Sequence, residues 1–158
     1  MPLKGIPPSI SPELLFALAR MGHGDTLVIA DSNFPSDSTA ASTITEKPIR
    51  VTGCTADILR DVFSLITLDP YSSEPVCVMD RVQSDKDRDF AVPAYEMLQS
   101  VVDNERSTGN YGSSSFNLTY VERSEFYAKA RKAFCIVQTT DCAAYANVLV
   151  SKGVLLLN

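Results

Sequence analysis

Residues 19–35 read ARMGHGDTLVIADSNFP, and this stretch decides the fold. Gly22, just beyond Arg20, reads as the stop of a helix, because glycine tolerates the left-handed backbone that closes a helix C-terminus. TLVIAD (26–31) follows almost at once. It is a short, bounded, continuous apolar run with β-branched residues, which predicts a strand buried on both faces. Upstream, Ser11 can cap a helix that Pro12 and Glu13 then open, with Leu14, Leu15 and Leu18 forming its apolar face.

Working outward, the same alternation repeats. Ser32–Lys47 is rich in Ser, Thr and Asp and reads as a loop, and PIRVTG (48–53) as a weak strand. Thr55 can cap a helix whose face carries Ile58, Leu59, Val62, Phe63 and Ile66. VCVMDRV (76–82) predicts a strand, QSDKDRD (83–89) a charged loop, and a helix is expected around Tyr95–Val102. Asp103–Ser115 is polar and reads as a mobile insertion. LTYVER (118–123) predicts a strand. Ser124 then caps EFYAKARKAF (125–134), with Phe126, Ala130 and Phe134 on one face, and CIVQTT (135–140) predicts another strand. YANVLV (145–150) and VLLLN (154–158), joined around Ser151–Gly153, predict a terminal strand pair. No internal repeat is present. The expectation is one α/β domain over residues 1–158, a three-layer α/β/α arrangement with a central, largely parallel or mixed sheet.

Bulk properties narrow the function classes. The 158 residues carry a net charge of −5 and contain no basic run, which argues against nucleic acid or an anionic membrane as partner. MPLKGIPPSIS (1–11) lacks the apolar core of a signal peptide, and no stretch is apolar enough to span a bilayer. Cys54, Cys77, Cys135 and Cys142 form no CxxC pair, so reduced thiols and a cytoplasmic location are expected, with Cys77 and Cys135 in the core. The NLT sequon at Asn117 is read as chance.

The candidate chemistry starts at His23, the sole histidine, set between two glycines. GHGDT closes a helix and opens a strand, the reverse of a dinucleotide fingerprint, so nucleotide binding is not expected. His23 reads equally as a turn residue or as an acid–base group, since imidazole titrates near neutrality. Asp31 either caps the next turn or presents a carboxylate at the sheet edge, where it can bind hydroxyls or polarise His23. Asp25 is read as structural. One histidine and scattered carboxylates predict no metal site. Arg123 stands at a strand end, and Tyr127 in the first turn of a helix has a phenol able to donate or accept. Tyr145 and Asn147, two apart on a predicted strand, would point to one face.

Taken together, LKGIPPSISPELLFALARMGHGD (3–25), IADSNFP (29–35), LDPY (68–71), VMDRVQSDK (78–86), ERSEFYAKARKAF (122–134) and YANVLVSKGVL (145–155) resemble the fucose mutarotase family, which is related to the ribose pyranases. The resemblance implies interconversion of the anomers of a free monosaccharide, L-fucose, without a cofactor. It implies that His23 transfers protons, that Tyr127 is catalytic or assisting, and that Asp31, Tyr145 and Asn147 contact the sugar, with Asp69 and Met79 as further positions at the site. Arg123 and Asp25 are not carried over as catalytic and stand as supporting candidates. It also implies a homo-oligomer, at least a dimer, with sites near subunit contacts. The loops after Pro35 and at Asp103–Ser115 are unmatched. A ribose pyranase, a sugar-binding protein without turnover, and a purely structural oligomer are the alternatives.

Overall fold

A computed structural model describes residues 3–155. Its centre is a six-stranded sheet built from β1 (Thr26–Ala30), β2 (Ile49–Arg50), β3 (Val76–Met79), β4 (Thr119–Val121), β5 (Cys135–Gln138) and β6 (Val148–Ser151), in the order β2-β5-β1-β6-β3-β4. β1 runs parallel to β5, β5 to β2 and β3 to β4, whereas β6 is antiparallel to both its neighbours, β1 and β3. The sheet is therefore mixed. Reversal of β6 brings its start, after Tyr145–Asn147, to the edge where β1, β3, β4 and β5 end.

The apolar run of β1 is explained by its two covers. Leu27 and Ile29 face a core with Leu14 and Leu18 of α1 (Pro12–Arg20), Leu59 and Val62 of α3 (Thr55–Phe63), and Leu98 and Val102 of α5 (Pro93–Thr108). Val28 and Ala30 face a smaller core with Ala40 of α2 (Ser36–Ala40) and Phe126 and Ala130 of α6 (Arg123–Ala130). Successive side chains of a strand alternate between faces, so a strand sandwiched between helical layers is apolar throughout. Removing a side chain such as Leu27 or Phe126 from water contributes on the order of 2–3 kcal/mol. Cys77 and Cys135 are buried in these cores. No helix among the described residues is long and apolar enough to cross a membrane.

Ser11 caps α1 as expected, its hydroxyl accepting the Leu14 N–H at 3.1 Å. Several expectations fail. Asp103–Ser115 is not a mobile insertion: α5 continues to Thr108, Gly109 closes it, and Tyr111 and Phe116 pack edge to face with ring centroids 4.8 Å apart. The polar residues are the solvent face of the last turns, which composition alone does not distinguish from a loop. The Ser/Thr loop contains α2, with Ser36, Thr39 and Ala40 buried, and the charged loop contains α4 (Gln83–Asp87), a helix with no buried residue. Glu122, not Ser124, caps α6, its carboxylate accepting the Ser124 and Glu125 N–H groups. α6 ends at Ala130, so Phe134 lies beyond it.

The terminal strand pair is not formed by the described residues: β6 ends at Ser151, and Lys152 bridges Leu68 while the Gly153 N–H donates to Thr67 O at 2.8 Å. Residues 156–158, the end of the second predicted strand, lie outside the described residues.

Candidate active site

At the edge where β1 begins, the GHGD turn is held by its own polar groups. The Gly22 N–H donates to Asp25 Oδ2 at 2.7 Å, which gives Asp25 the structural role expected of it, and Gly24 takes a positive φ of 81° that glycine accommodates without strain. The end of β6 wedges beside this turn: the Gly24 N–H donates to Lys152 O, and the Lys152 N–H to Asp25 O. The Lys152 ammonium donates to the carbonyls of Leu18 and Met21, satisfying the orphan acceptors at the end of α1. On its other side the same segment carries Leu68–Asp69, with the Asp69 N–H donating to Ser151 O at 3.0 Å.

This sandwich brings Asp69 to His23. The imidazole Nε2 lies 3.1 Å from Asp69 Oδ1, with the histidine side chain 48% exposed and the aspartate side chain 8% exposed. The same carboxylate oxygen accepts the Tyr71 N–H at 3.0 Å, and the Tyr71 ring stands edge-on to the imidazole at 6.1 Å. A carboxylate accepts only, so Nε2 carries the proton in the neutral ring and Nδ1 is left as the basic nitrogen.

At the opposite edge, Asp31 and Asn147 form a buried reciprocal pair, 3% and 4% exposed. The Asn147 amide donates to Asp31 Oδ2 at 2.8 Å, the Asp31 N–H donates to Asn147 Oδ1 at 3.0 Å, and the Asn33 N–H donates to Asp31 Oδ1 at 2.9 Å. Burial raises the Asp31 carboxyl above the usual carboxylate range, and the bonds from Asn33 and Asn147 counter this in part.

Tyr127 and Tyr145 pack partly buried against the smaller core that contains Phe34 and Met79, and the Tyr127 and Phe34 rings lie 5.4 Å apart. The Met79 side chain is buried, and its main chain links the strands: its N–H donates to Asn147 O, and its carbonyl accepts from Tyr95. Tyr145 has a φ of 61°, a left-handed conformation uncommon outside glycine. Tyr145 and Asn147 therefore precede β6 in a turn, and the expectation that they alternate along a strand is incorrect.

The five residues of β1, about 16 Å of strand at ~3.3 Å per residue, separate these two groups. The expectation that Asp31 polarises His23 is thereby overturned, and Asp69 holds that ring instead. Within one chain the structure brings together His23 with Asp69, and separately Asp31, Asn147, Tyr145, Tyr127 and Met79. Arg123 opens α6 at the second edge and is exposed. Asp85 of α4 was missed: it accepts from the Tyr145 hydroxyl at 2.6 Å across 60 positions of sequence, and no local spacing announces such a pairing. Among the described residues, no three His, Cys, Asp or Glu side chains gather as a metal ion requires.

Comparison with known proteins gives this geometry its context. The model of the RbsD / FucU transport protein family matches residues 4–155. The chain belongs to this family. Among RbsD / FucU relatives, human fucose mutarotase is 43% identical over 157 residues, 99% of this chain and 96% of that protein. The L-fucose mutarotase of Haemophilus influenzae is 36% identical over 96% of each chain. The crystal structure of the fucose mutarotase of Streptococcus pneumoniae in complex with L-fucose superposes with a TM-score of 0.82 at 33% identity, covering 98% of this chain and all of that one. The RbsD / FucU fold thus extends over the whole described chain.

Proposed function

We infer that this chain is an L-fucose mutarotase, an isomerase that interconverts the α and β anomers of the free sugar by opening and reclosing the ring. The observation that carries the reading is the exposed imidazole of His23, fixed through Nε2 by buried Asp69, in a chain alike over nearly its full length to proteins named fucose mutarotases.

The reaction needs two proton transfers. A base removes the proton of the anomeric hydroxyl while an acid protonates the ring oxygen; the C1–O5 bond breaks and the C1–O1 bond becomes a carbonyl. Rotation about C1–C2 presents the other carbonyl face, and the reverse transfers close the ring. Fixed by Asp69, His23 offers Nδ1 as base and, once protonated, as acid. The phenol of Tyr127 is the assisting group. Asp31 and Asn147 hold sugar hydroxyls: an ionised carboxylate has about four acceptor positions, and the bonds from Asn33 and Asn147 occupy only part of them. Tyr145 adds a third hydroxyl contact, and Met79 contributes apolar floor beneath the ring. Asp69 acts through His23 as a positioning residue rather than as a sugar ligand.

General acid–base groups must lie within hydrogen-bond reach of the reacting atoms. His23 is a strand length from Asp31, so the working site is composite: His23 of the partner subunit completes the Asp31 edge of its neighbour. This reading makes the enzyme an obligate homo-oligomer. All four cysteines are unpaired, in keeping with a cytoplasmic enzyme.

NMR saturation transfer between the anomers of L-fucose, with D-ribose in parallel, tests the function. The expected result is protein-dependent exchange for L-fucose, reduced about 10²-fold or more in His23→Ala. Exchange confined to the ring forms of D-ribose makes the chain a pyranase, and wild-type rates in His23→Ala remove the histidine from the mechanism.

A further inference from the structure

We propose that Asp85 is a positioning residue of the sugar site, which by accepting the only phenolic proton of Tyr145 fixes that hydroxyl as a hydrogen-bond acceptor toward the substrate. The proposal rests on the reading of Tyr145 as a sugar contact and extends it to a residue of α4 that acts through Tyr145.

The argument is one of hydrogen-bond inventory. A phenol has a single proton to donate and two acceptor positions. The Tyr145 hydroxyl donates to Asp85 Oδ2 at 2.6 Å and accepts the Val82 N–H at 3.2 Å. One acceptor position remains. Whatever sugar group meets this oxygen must donate, so the site favours a hydroxyl there and rejects an atom able only to accept. Bonds to a charged acceptor are shorter and stronger than neutral ones, which makes this orientation firm.

Three features argue against an incidental contact. Tyr145 holds a left-handed backbone, and a non-glycine residue in that region costs free energy that the surrounding structure has to offset. Its side chain is gripped at the far end by Asp85 and Val82, with the Phe90 ring edge-on at 6.4 Å. α4 buries no residue of its own, so core packing does not require Asp85 at this position. Its carboxylate is nevertheless oriented from two sides, by Tyr145 and by Arg88, whose guanidinium lies 2.8 Å from Oδ1. The bond from Tyr145 holds the Asp85 carboxyl below the usual carboxylate range, so it is ionised at neutral pH.

The test separates KM from kcat. L-fucose anomer exchange is measured against sugar concentration for the wild type, Asp85→Ala, Asp85→Asn, Tyr145→Phe and the double variant Asp85→Ala/Tyr145→Phe. Asp85→Ala is expected to raise KM roughly 5–10-fold, as for loss of one well-placed hydrogen bond, with kcat within about two-fold of wild type. Asp85→Asn, whose amide oxygen still accepts the phenolic proton, is expected to restore KM to near wild type. The double variant is expected to be no worse than Tyr145→Phe, since Asp85 acts only through that hydroxyl.

Gln83→Ala, which breaks the bond from Gln83 to Asp87 within α4, is the control for loosening the helix and should leave KM unchanged. A second readout does not depend on turnover: the ¹³Cζ resonance of Tyr145, assigned by its loss in Tyr145→Phe, should shift in Asp85→Ala and return toward wild type in Asp85→Asn. Exchange with wild-type KM in Asp85→Ala, an unmoved resonance, or an equal rise of KM in Gln83→Ala overturns the role of Asp85 and leaves the mutarotase reading standing. Absence of exchange in the wild type overturns both.

Discussion

Asp31 is a carboxylate that the fold keeps almost dry, and its pH behaviour follows from that. Burial raises its folded-state value above the ordinary 3.8, so between 3.8 and the raised value the folded chain binds more protons than the unfolded one. Stability contributed by this residue is present at low pH and falls as pH rises through that window. In Asp31→Asn the titration is gone. The stability of the wild type relative to Asp31→Asn should therefore decline as pH rises above 3.8, read as the difference in urea midpoints. Parallel midpoint curves over that range refute the assignment. The sign matters for function, since retaining a costly buried carboxylate is reasonable only if its acceptor oxygens are used, and the Asn147 pairing keeps those oxygens aimed.

At the scale of elements, the bridge from the end of β6 to Leu68 is what holds the Asp69 carboxylate against His23. Gly153 lies so close to Leu68 that an added Cβ would stand 2.1 Å from the Leu68 carbonyl oxygen and 3.1 Å from the Asp69 Cα. Backbone cannot give way as a flexible side chain can, so Gly153→Ala must push the Leu68–Asp69 segment off β6 and withdraw the carboxylate from the imidazole. The expected result is a fall in kcat of about 10-fold or more with a smaller change in KM, accompanied by a thermal midpoint lower by several degrees. A variant with wild-type kcat shows that the close approach is not needed. A further support reaches the same segment from the turn after α5, where the Tyr111 hydroxyl accepts the Leu68 N–H at 2.9 Å and donates to Glu105 of α5.

This also marks where the sequence stops being legible. The cores were readable because burial imposes periodicity: TLVIA, VCVM and CIVQ declare strands, and the leucines before Arg20 declare α1. The polar end of α5 and the turn beyond it are not readable, because Glu105 and Tyr111 owe their role to a segment distant in the chain. Asp69 was marked only by family resemblance, since nothing within LDPY says that it will meet a histidine 46 positions earlier. YANVLV has the composition of a strand, and nothing in it announces the positive φ of Tyr145 or the bonds of its hydroxyl to Val82 and Asp85.

For the whole molecule, the mixed sheet has a consequence that single-site mutations do not reach. His23 with Asp69 occupies one edge, and Asp31, Asn147, Tyr145 and Tyr127 gather toward the other, so on the proposed reading each chain supplies two half-sites facing opposite ways. Composite sites of this kind form either across a two-fold contact, where each edge meets the other edge of its partner, or head to tail, where the contacts close into rings when the rotation permits. The composite reading is tested by mixing two dead variants. A His23→Ala subunit keeps an intact Asp31 edge, and an Asn147→Ala subunit keeps an intact histidine. Each variant alone lacks one half of every site. After the two are unfolded and refolded together in equal amounts, about a quarter of the sites should combine an intact Asp31 edge with an intact His23, if each site draws its halves from neighbouring subunits at random. Exchange near a quarter of the wild-type rate is the expected outcome. If both halves had to come from one chain, no mixture could assemble a complete site and the activity would stay at the level of the separate variants. That null result, obtained with hybrid oligomers verified by native mass spectrometry, would require the two edges of a single chain to cooperate across the length of β1, a distance too great for direct proton transfer.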